Sequence, residues 1–303
     1  MNFIKPVYKA VIPVAGLGTR MLPATKAIPK ELLPVYDRPL IEHVVKEAIQ
    51  SGIREIIFIT RSGKEAIENH FDANYELEHR LVKKGQNKIL ENVVKIIPDE
   101  VKVSSVRQAD ALGLGHAILC AKHLIGDEPF AILLPDVLVV DKKLSEKNYS
   151  FSNLVNAWNK TGIGQVMVEA VGVDVVEKYG IVDIGKKNKS NFETAPIQAI
   201  VEKPKPQHAP SNLAVLGRYI LPPKLFDLLE DIGPGVGDEI QLTDALSQLI
   251  AIEGLDALMT TAHVFDCGNK HGYLAANLLM GMRNSKSRNI IRQLMNELKN
   301  DSY

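Results

Sequence analysis

The sequence predicts an α/β protein built on a mixed, mostly parallel sheet with helices on both faces. Short β-branched runs alternate with helical apolar patterns through the first half of the chain, the order expected of parallel strands joined by crossover helices. The first of these runs leads directly into a glycine-bearing loop, and open α/β sheets bind their ligands beyond the carboxyl ends of strands. In the second half, strand-like runs follow one another without long helices between them, which adds antiparallel strands to the sheet.

Taken in order, Tyr8 to Val14 reads as a buried strand, and Leu40 to Ser51 as a helix stopped by Gly52. Glu55 to Thr60 is a second strand, followed by a helix from Lys64 to His70. Val101 to Val106 and Pro129 to Leu134 are further strands, separated by a helix over His116 to Leu124. Residues 164–170, 181–184, 197–202 and 214–221 are the strand-like runs of the second half. Near the end, Ile290, Ile291, Leu294, Met295 and Leu298 recur at helical spacing. That apolar stripe either packs on its own domain or forms a subunit interface.

No Gly/Ser-rich linker, low-complexity run or internal repeat divides the 303 residues, so the chain reads as one domain, 1–303. Within it, 270–303 is a C-terminal helical segment available for oligomerisation. Apolar residues make up 46%, enough for a sizeable core. Lys plus Arg and Asp plus Glu each total 36, and a chain of zero formal net charge gives no broad attraction to nucleic acid or membrane. Phe130 to Val140, the longest apolar stretch, is broken by Pro135 and Asp136. It falls far short of the ~18–20 residues that span a bilayer, and Met1 to Lys5 lacks a signal-peptide apolar region. A cytoplasmic protein is expected. Cys120 and Cys267 belong to no Cys-x-x-Cys pair and read as small thiols in a reducing compartment.

The segment from Ile12 to Val35 carries the functional signal. Gly16 and Gly18 let the backbone approach a ligand, and Arg20, Lys26 and Lys30 concentrate positive charge on a loop punctuated by Pro23 and Pro29. Loop amides with Arg and Lys suit a triphosphate or pyrophosphate. A dinucleotide fingerprint would need a third glycine where Met21 stands, and no Gly-Lys followed by Ser or Thr supplies a Walker A loop. An NAD-dependent oxidoreductase is therefore a poor fit.

The run Ala15-Gly16-Leu17-Gly18-Thr19-Arg20-Met21-Leu22-Pro23, continuing through Lys26 to Pro29-Lys30-Glu31, resembles the signature loop of the sugar-nucleotide pyrophosphorylases. Within that family it is similar to the bacterial UTP–glucose-1-phosphate uridylyltransferase branch. The resemblance continues through Glu68 to Asp72, Gly113 to Ala117, Leu134 to Val137, Val201 to Pro204, Gly237 to Asp244 and Asp266 to Lys270. It implies a Rossmann-like nucleotidyltransferase fold. It also implies magnesium-dependent transfer of UMP from UTP to α-D-glucose 1-phosphate, with UTP and the sugar phosphate as partners and a homo-oligomer, dimer or tetramer, as the assembly.

Residue by residue, the resemblance assigns Ala15, Gly16, Gly18 and Thr19 to the nucleotide, and Arg20 and Lys30 to its β and γ phosphates. Gln108 would read uracil with an amide that both donates and accepts, with Gly113 completing the contact. Ala109 stands where the family often has Gly, putting an extra methyl beside that reader. Lys203 would grip the phosphate of the sugar phosphate, while Glu202 and Gly180 contact sugar hydroxyls. Asp136 and Asp266 match the metal-binding aspartates; read alone, an Asp after Pro135 could equally be a turn or helix cap. Arg38 replaces a Lys usual in the family and keeps its charge. Lys26 either lines the pocket or faces solvent, and His116 is expected to pack at a helix N-terminus.

Two alternatives stay open. One is a catalytically silent regulatory paralogue, and the other is a related nucleotidyltransferase using another base or sugar. Thr19, Arg20, Asp238, Glu239, Asn269 and Lys270 keep the pattern of active members, which speaks against the silent relative.

Overall fold

The structure is a computed structural model of the chain that describes residues 4–142, 150–185, 193–235 and 238–300. Gly237, which opens one of the motifs above, lies outside them. Along β1 (Lys9–Pro13), Val11 packs into one core while Ala10 and Ile12 pack into another, the period-two signature of a strand buried on both faces. The loop that follows is folded into three single 3-10 turns, Thr19–Met21, Ala24–Lys26 and Lys30–Leu32. A small ladder of β2 (Pro34–Val35) and β3 (Arg38–Pro39) then feeds α1 (Leu40–Gln50), which buries Ile41, Val44, Val45 and Ala48 at helical spacing.

The first half continues with β4 (Glu55–Thr60), α2 (Glu65–Phe71), α3 (Tyr75–Lys83), α4 (Asn87–Val94) and β5 (Lys102–Arg107). Next come α5 (Gly113–Leu119), α6 (Lys122–Ile125), β6 (Phe130–Leu133) and β7 (Val137–Val140). The second half runs α7 (Ser150–Thr161), β8 (Gly164–Ala170), β9 (Gly180–Asp183), β10 (Thr194–Pro196), β11 (Ala199–Glu202) and β12 (Leu213–Leu221). It closes with α8 (Lys224–Asp231), α9 (Leu242–Ile252), β13 (Leu255–Met259), β14 (His263–Asp266), α10 (Lys270–Arg283) and α11 (Ser285–Asn300).

The main sheet has the order β10-β13-β8-β12-β6-β1-β4-β5, with β9 beside β12 and β11 beside β9. β13, β8, β6, β1, β4 and β5 point one way, while β12 and β10 oppose them. The mixed, mostly parallel sheet expected from the sequence is thus observed. Residues of α5, α8 and α9 fill the core on one face of it, and those of α1 and α7 the core on the other.

Two expected elements differ in detail. The helix expected over His116–Leu124 is two, because Ala121 N–H turns back to the Ile118 carbonyl and closes α5 before α6 begins. The strand-like run 197–202 is interrupted: Ile197 continues β10 through its N–H bond to the Leu255 carbonyl, while Gln198 N–H already bonds to the Asp183 carbonyl beside β11. The C-terminal apolar stripe lies on α11 with Ile290, Leu294, Met295 and Leu298 exposed. Ile291, its fifth member, is half-buried and approaches Gly281 of α10. Among the described residues, no helix is long and apolar enough to cross a membrane.

Candidate active site

Two pockets open where β1 and β6 end, and they share Leu114, Leu134 and Asp136 as a common wall. The loop after β1 lines one of them with Ala15, Gly16, Gly18 and Thr19, joined by Lys30, Gln108 and Gly113. Arg20, Asp266, Gly180, Glu202 and Lys203 line the other. Every site residue expected from the sequence therefore falls on one of two neighbouring cavities, and Asp136 faces both.

The wall between the pockets concentrates charge. Lys30 Nζ lies 2.5 Å from Asp136 Oδ2, while the Arg20 guanidinium reaches Asp266 Oδ2 at 3.3 Å and Asp136 Oδ2 at 3.6 Å. Burial pushes the Asp136 carboxyl up, but Lys30 and Arg20 outweigh it and hold the group below its ordinary value. The 130-residue separation of the two aspartates is closed by β7 and β14, whose antiparallel register sets Asp266 opposite Val137. Cys267 N–H donates to the Asp136 carbonyl at 2.8 Å, locking the strand ends together.

Gly268 explains why a glycine stands in this motif. A Cβ there would lie 2.6 Å from an Arg20 nitrogen, 2.8 Å from Asp136 Oδ2 and 2.9 Å from Asp266 Oδ1. The same point shows that both carboxylates converge on a space of atomic size. Two hard oxygen donors so placed fit a magnesium ion, which takes one or two carboxylates and completes its shell with phosphate oxygens and water. Among the described residues, no group of three or more His, Cys, Asp or Glu gathers around this point. Asn269 braces the turn by capping α10 through Gly272 N–H and by donating to the Asp266 carbonyl.

In the second pocket, antiparallel pairing of β9 and β11 puts Gly180 opposite Glu202. Glu202 is gripped at both oxygens, by the Thr243 hydroxyl at 2.6 Å and by Lys203 Nζ at 3.0 Å. Lys203 adopts a left-handed backbone with φ 45, and its N–H is held by the Tyr179 carbonyl at 3.0 Å. A non-glycine residue in that region is strained, and such strain concentrates at ligand sites.

In the first pocket, Gln108 is buried and its Nε2 meets the Gly113 carbonyl at 3.2 Å and His116 Nδ1 at 3.0 Å. His116 thus orients the Gln108 amide, a more specific task than the helix-end packing expected of it. The network assigns its Nδ1 as an acceptor. Ala109 is exposed and is not among the residues lining the pocket, so its methyl points away from the cavity beside Gln108. Lys26 is also exposed and lines neither cavity. Arg38 pairs with Glu42, which His70 also contacts at 3.2 Å, a bracing role on α1.

Sequence reasoning overlooked Glu31 and Thr243. Glu31 is fully buried in the wall of the loop-side pocket, with Oε2 bound to Lys64 at 2.7 Å and no hydrogen-bond partner on Oε1. Burial raises its carboxyl above the ordinary value despite Lys64. Its place directly after Lys30 in the loop motif was the available signal. For Thr243 the available signal was its place in the Gly237 to Asp244 motif, although a threonine early in a helix otherwise reads as ordinary surface.

Residues 9–281 match the nucleotidyl transferase family. The chain is 50% identical to a UTP–glucose-1-phosphate uridylyltransferase of Haemophilus influenzae over 92% of this chain and 94% of the relative. Among solved structures, it superposes on a UTP-bound UGPase from Acinetobacter baumannii with a TM-score of 0.87 at 47% identity, covering 96% of this chain and 99% of that one. A UDP-glucose pyrophosphorylase complexed with UDP-glucose matches with a TM-score of 0.80 at 36% identity, over 92% of this chain and 100% of that one.

Proposed function

The chain belongs to the nucleotidyl transferase family, and on that premise we propose that it transfers UMP from UTP to α-D-glucose 1-phosphate with magnesium, releasing pyrophosphate and UDP-glucose. The observation that carries this reading is the meeting of Arg20, Lys30, Asp136 and Asp266 on the wall between a loop-lined and a Glu-Lys-lined pocket. A donor nucleotide and an acceptor sugar phosphate need two adjoining cavities with cationic charge at the seam.

In this reading the nucleotide lies along Ala15, Gly16, Gly18 and Thr19, with its base against Gln108 and Gly113. The sugar lies against Gly180 and Glu202, with its phosphate held by Lys203. A phosphate oxygen of the sugar phosphate bonds to the α phosphorus of UTP as the α–β bridging bond breaks. That oxygen is already largely deprotonated at neutral pH, since the second phosphate pKa is about 6, so no general base is needed. Arg20 and Lys30 stabilise the charge that grows on the departing pyrophosphate, the dominant requirement of phosphoryl-type transfer. Held by Asp136 and Asp266, magnesium would neutralise phosphate charge and help align the reacting groups. We further propose that the chain works as a homo-oligomer through segment 270–303, where α11 exposes its apolar stripe.

The test is pyrophosphate release by the purified protein given UTP, glucose 1-phosphate and magnesium, with dTTP and galactose 1-phosphate as comparison substrates. Release that depends on UTP and the glucose ester is expected. UTP binding without release would point instead to a silent regulatory relative, and preference for another pair would reassign base or sugar.

A further inference from the structure

β12 carries a charged residue where a central strand should be wholly apolar. Arg218 is completely buried between β6 and β8, and its pairing with β8 shifts register between Val215 and Tyr219. The preceding Gly217 has φ 67, and a Cβ on it would lie 2.6 Å from the Leu134 side chain. This irregularity turns the guanidinium toward the end of β6.

All five N–H groups of Arg218 are used there. Nε and Nη2 grip Glu47 of α1 at 3.0 and 2.8 Å. Nη1 donates to the Leu134 carbonyl at 3.0 Å and to the Gly217 carbonyl at 3.2 Å. The second Nη2 hydrogen goes to the Val137 carbonyl at 2.7 Å. Leu134 and Val137 flank Pro135-Asp136, so one guanidinium clasps the backbone on both sides of the aspartate that faces both pockets.

Burying an ion pair costs desolvation, and an apolar pair of equal volume often packs as well or better. What an apolar pair cannot supply is a rigid fork of directed donors bridging three carbonyls and one carboxylate. We propose that Arg218, oriented by Glu47, is a positioning residue that sets where the Asp136 carboxylate sits relative to Lys30, Arg20 and the magnesium that Asp136 and Asp266 would hold. The inference rests on the functional reading above, and it acts on geometry rather than on substrate contact.

The test uses the full-length protein as Arg218→Lys, Glu47→Gln and the double variant, assayed well below the melting temperature of each. Lysine keeps the charge but is a compact ammonium that cannot bridge the same acceptors. For Arg218→Lys, kcat should fall on the order of 10²-fold, as expected for a misplacement near the reacting atoms, with little change in KM for UTP. The magnesium concentration for half-maximal rate should rise. Glu47→Gln should show a smaller loss of the same kind, and the double variant should lose no more than Arg218→Lys, because the pair acts as a unit. Hydrogen exchange, which needs no activity, should quicken at residues 134–140 while β1 and β4 stay protected. Should Arg218→Lys fail to fold, Glu47→Gln decides. Wild-type kcat and magnesium dependence in a folded variant, or exchange that rises equally across the sheet, would overturn the proposal and leave the pair a brace of the fold. An inactive wild type would instead defeat the functional reading, with the exchange data still judging the clasp.

Discussion

At the scale of single residues, Arg20 is the clearest lever on chemistry. It touches both aspartates yet is largely exposed, so its removal should spare the fold. For Arg20→Ala we expect kcat to drop by a barrier increase of about 2–4 kcal/mol, the loss seen when one charge-stabilising donor is removed, checked by steady-state kinetics of pyrophosphate release. Asp136 links chemistry to stability. Its folded pKa is depressed below 3.8, so the ionised carboxylate stabilises the fold above that value and the contribution is lost as pH falls through the folded pKa. Urea titrations should therefore show wild type more stable than Asp136→Asn at neutral pH, with the gap closing below about pH 4. A gap independent of pH would argue that a turn-capping role dominates. Cys267 is buried beside the same aspartates, and burial, then Asp266 and Asp136, push its thiol up to about 12. Iodoacetamide at mildly alkaline pH should leave it unmodified in the native protein, as mass spectrometry would read, while half-buried Cys120 reacts sooner. Residues of the loop and the two aspartates were legible because each stands in a recognisable motif beside an apolar run. Arg218 was not, since nothing in Leu-Gly-Arg-Tyr announces a buried guanidinium until β6 and α1 lie beside it.

Among the elements, legibility followed burial only in part: α7, α8 and α9 each bury at least four residues, yet none was among the elements expected from the sequence. Glu55–Thr60 was readable to the residue because a parallel strand covered on both faces must be an unbroken apolar run. α3 and α4 escaped because they bury little: Leu81 is the one buried residue on the former, and the latter buries none. β7 and β14 escaped as well, being four-residue strands whose meaning lies wholly in their pairing. The α11 stripe was visible as a period, but which surface it meets is not written in a period. With Ile290 and Leu294 exposed, replacing both by Glu should reduce the particle size seen in size-exclusion chromatography with light scattering, without lowering the melting temperature of the subunit. An unchanged size would remove α11 from the assembly.

For the whole molecule, the sheet brings together what the chain keeps apart. β12 inserts antiparallel between β6 and β8, joining the loop-bearing first half to the Glu-Lys-bearing second half in one continuous surface. The class of fold was legible from alternation alone, but that insertion was not, because a long-range antiparallel neighbour leaves no local trace. The β7–β14 ladder has a further bearing on the order in which the protein becomes competent during synthesis. Apart from Glu239, every residue that lines the loop-side cavity lies at or before position 136, whereas the second carboxylate and its glycine come only at 266–268. A growing chain therefore carries most residues of the loop-side cavity well before the second carboxylate that would complete the proposed magnesium site.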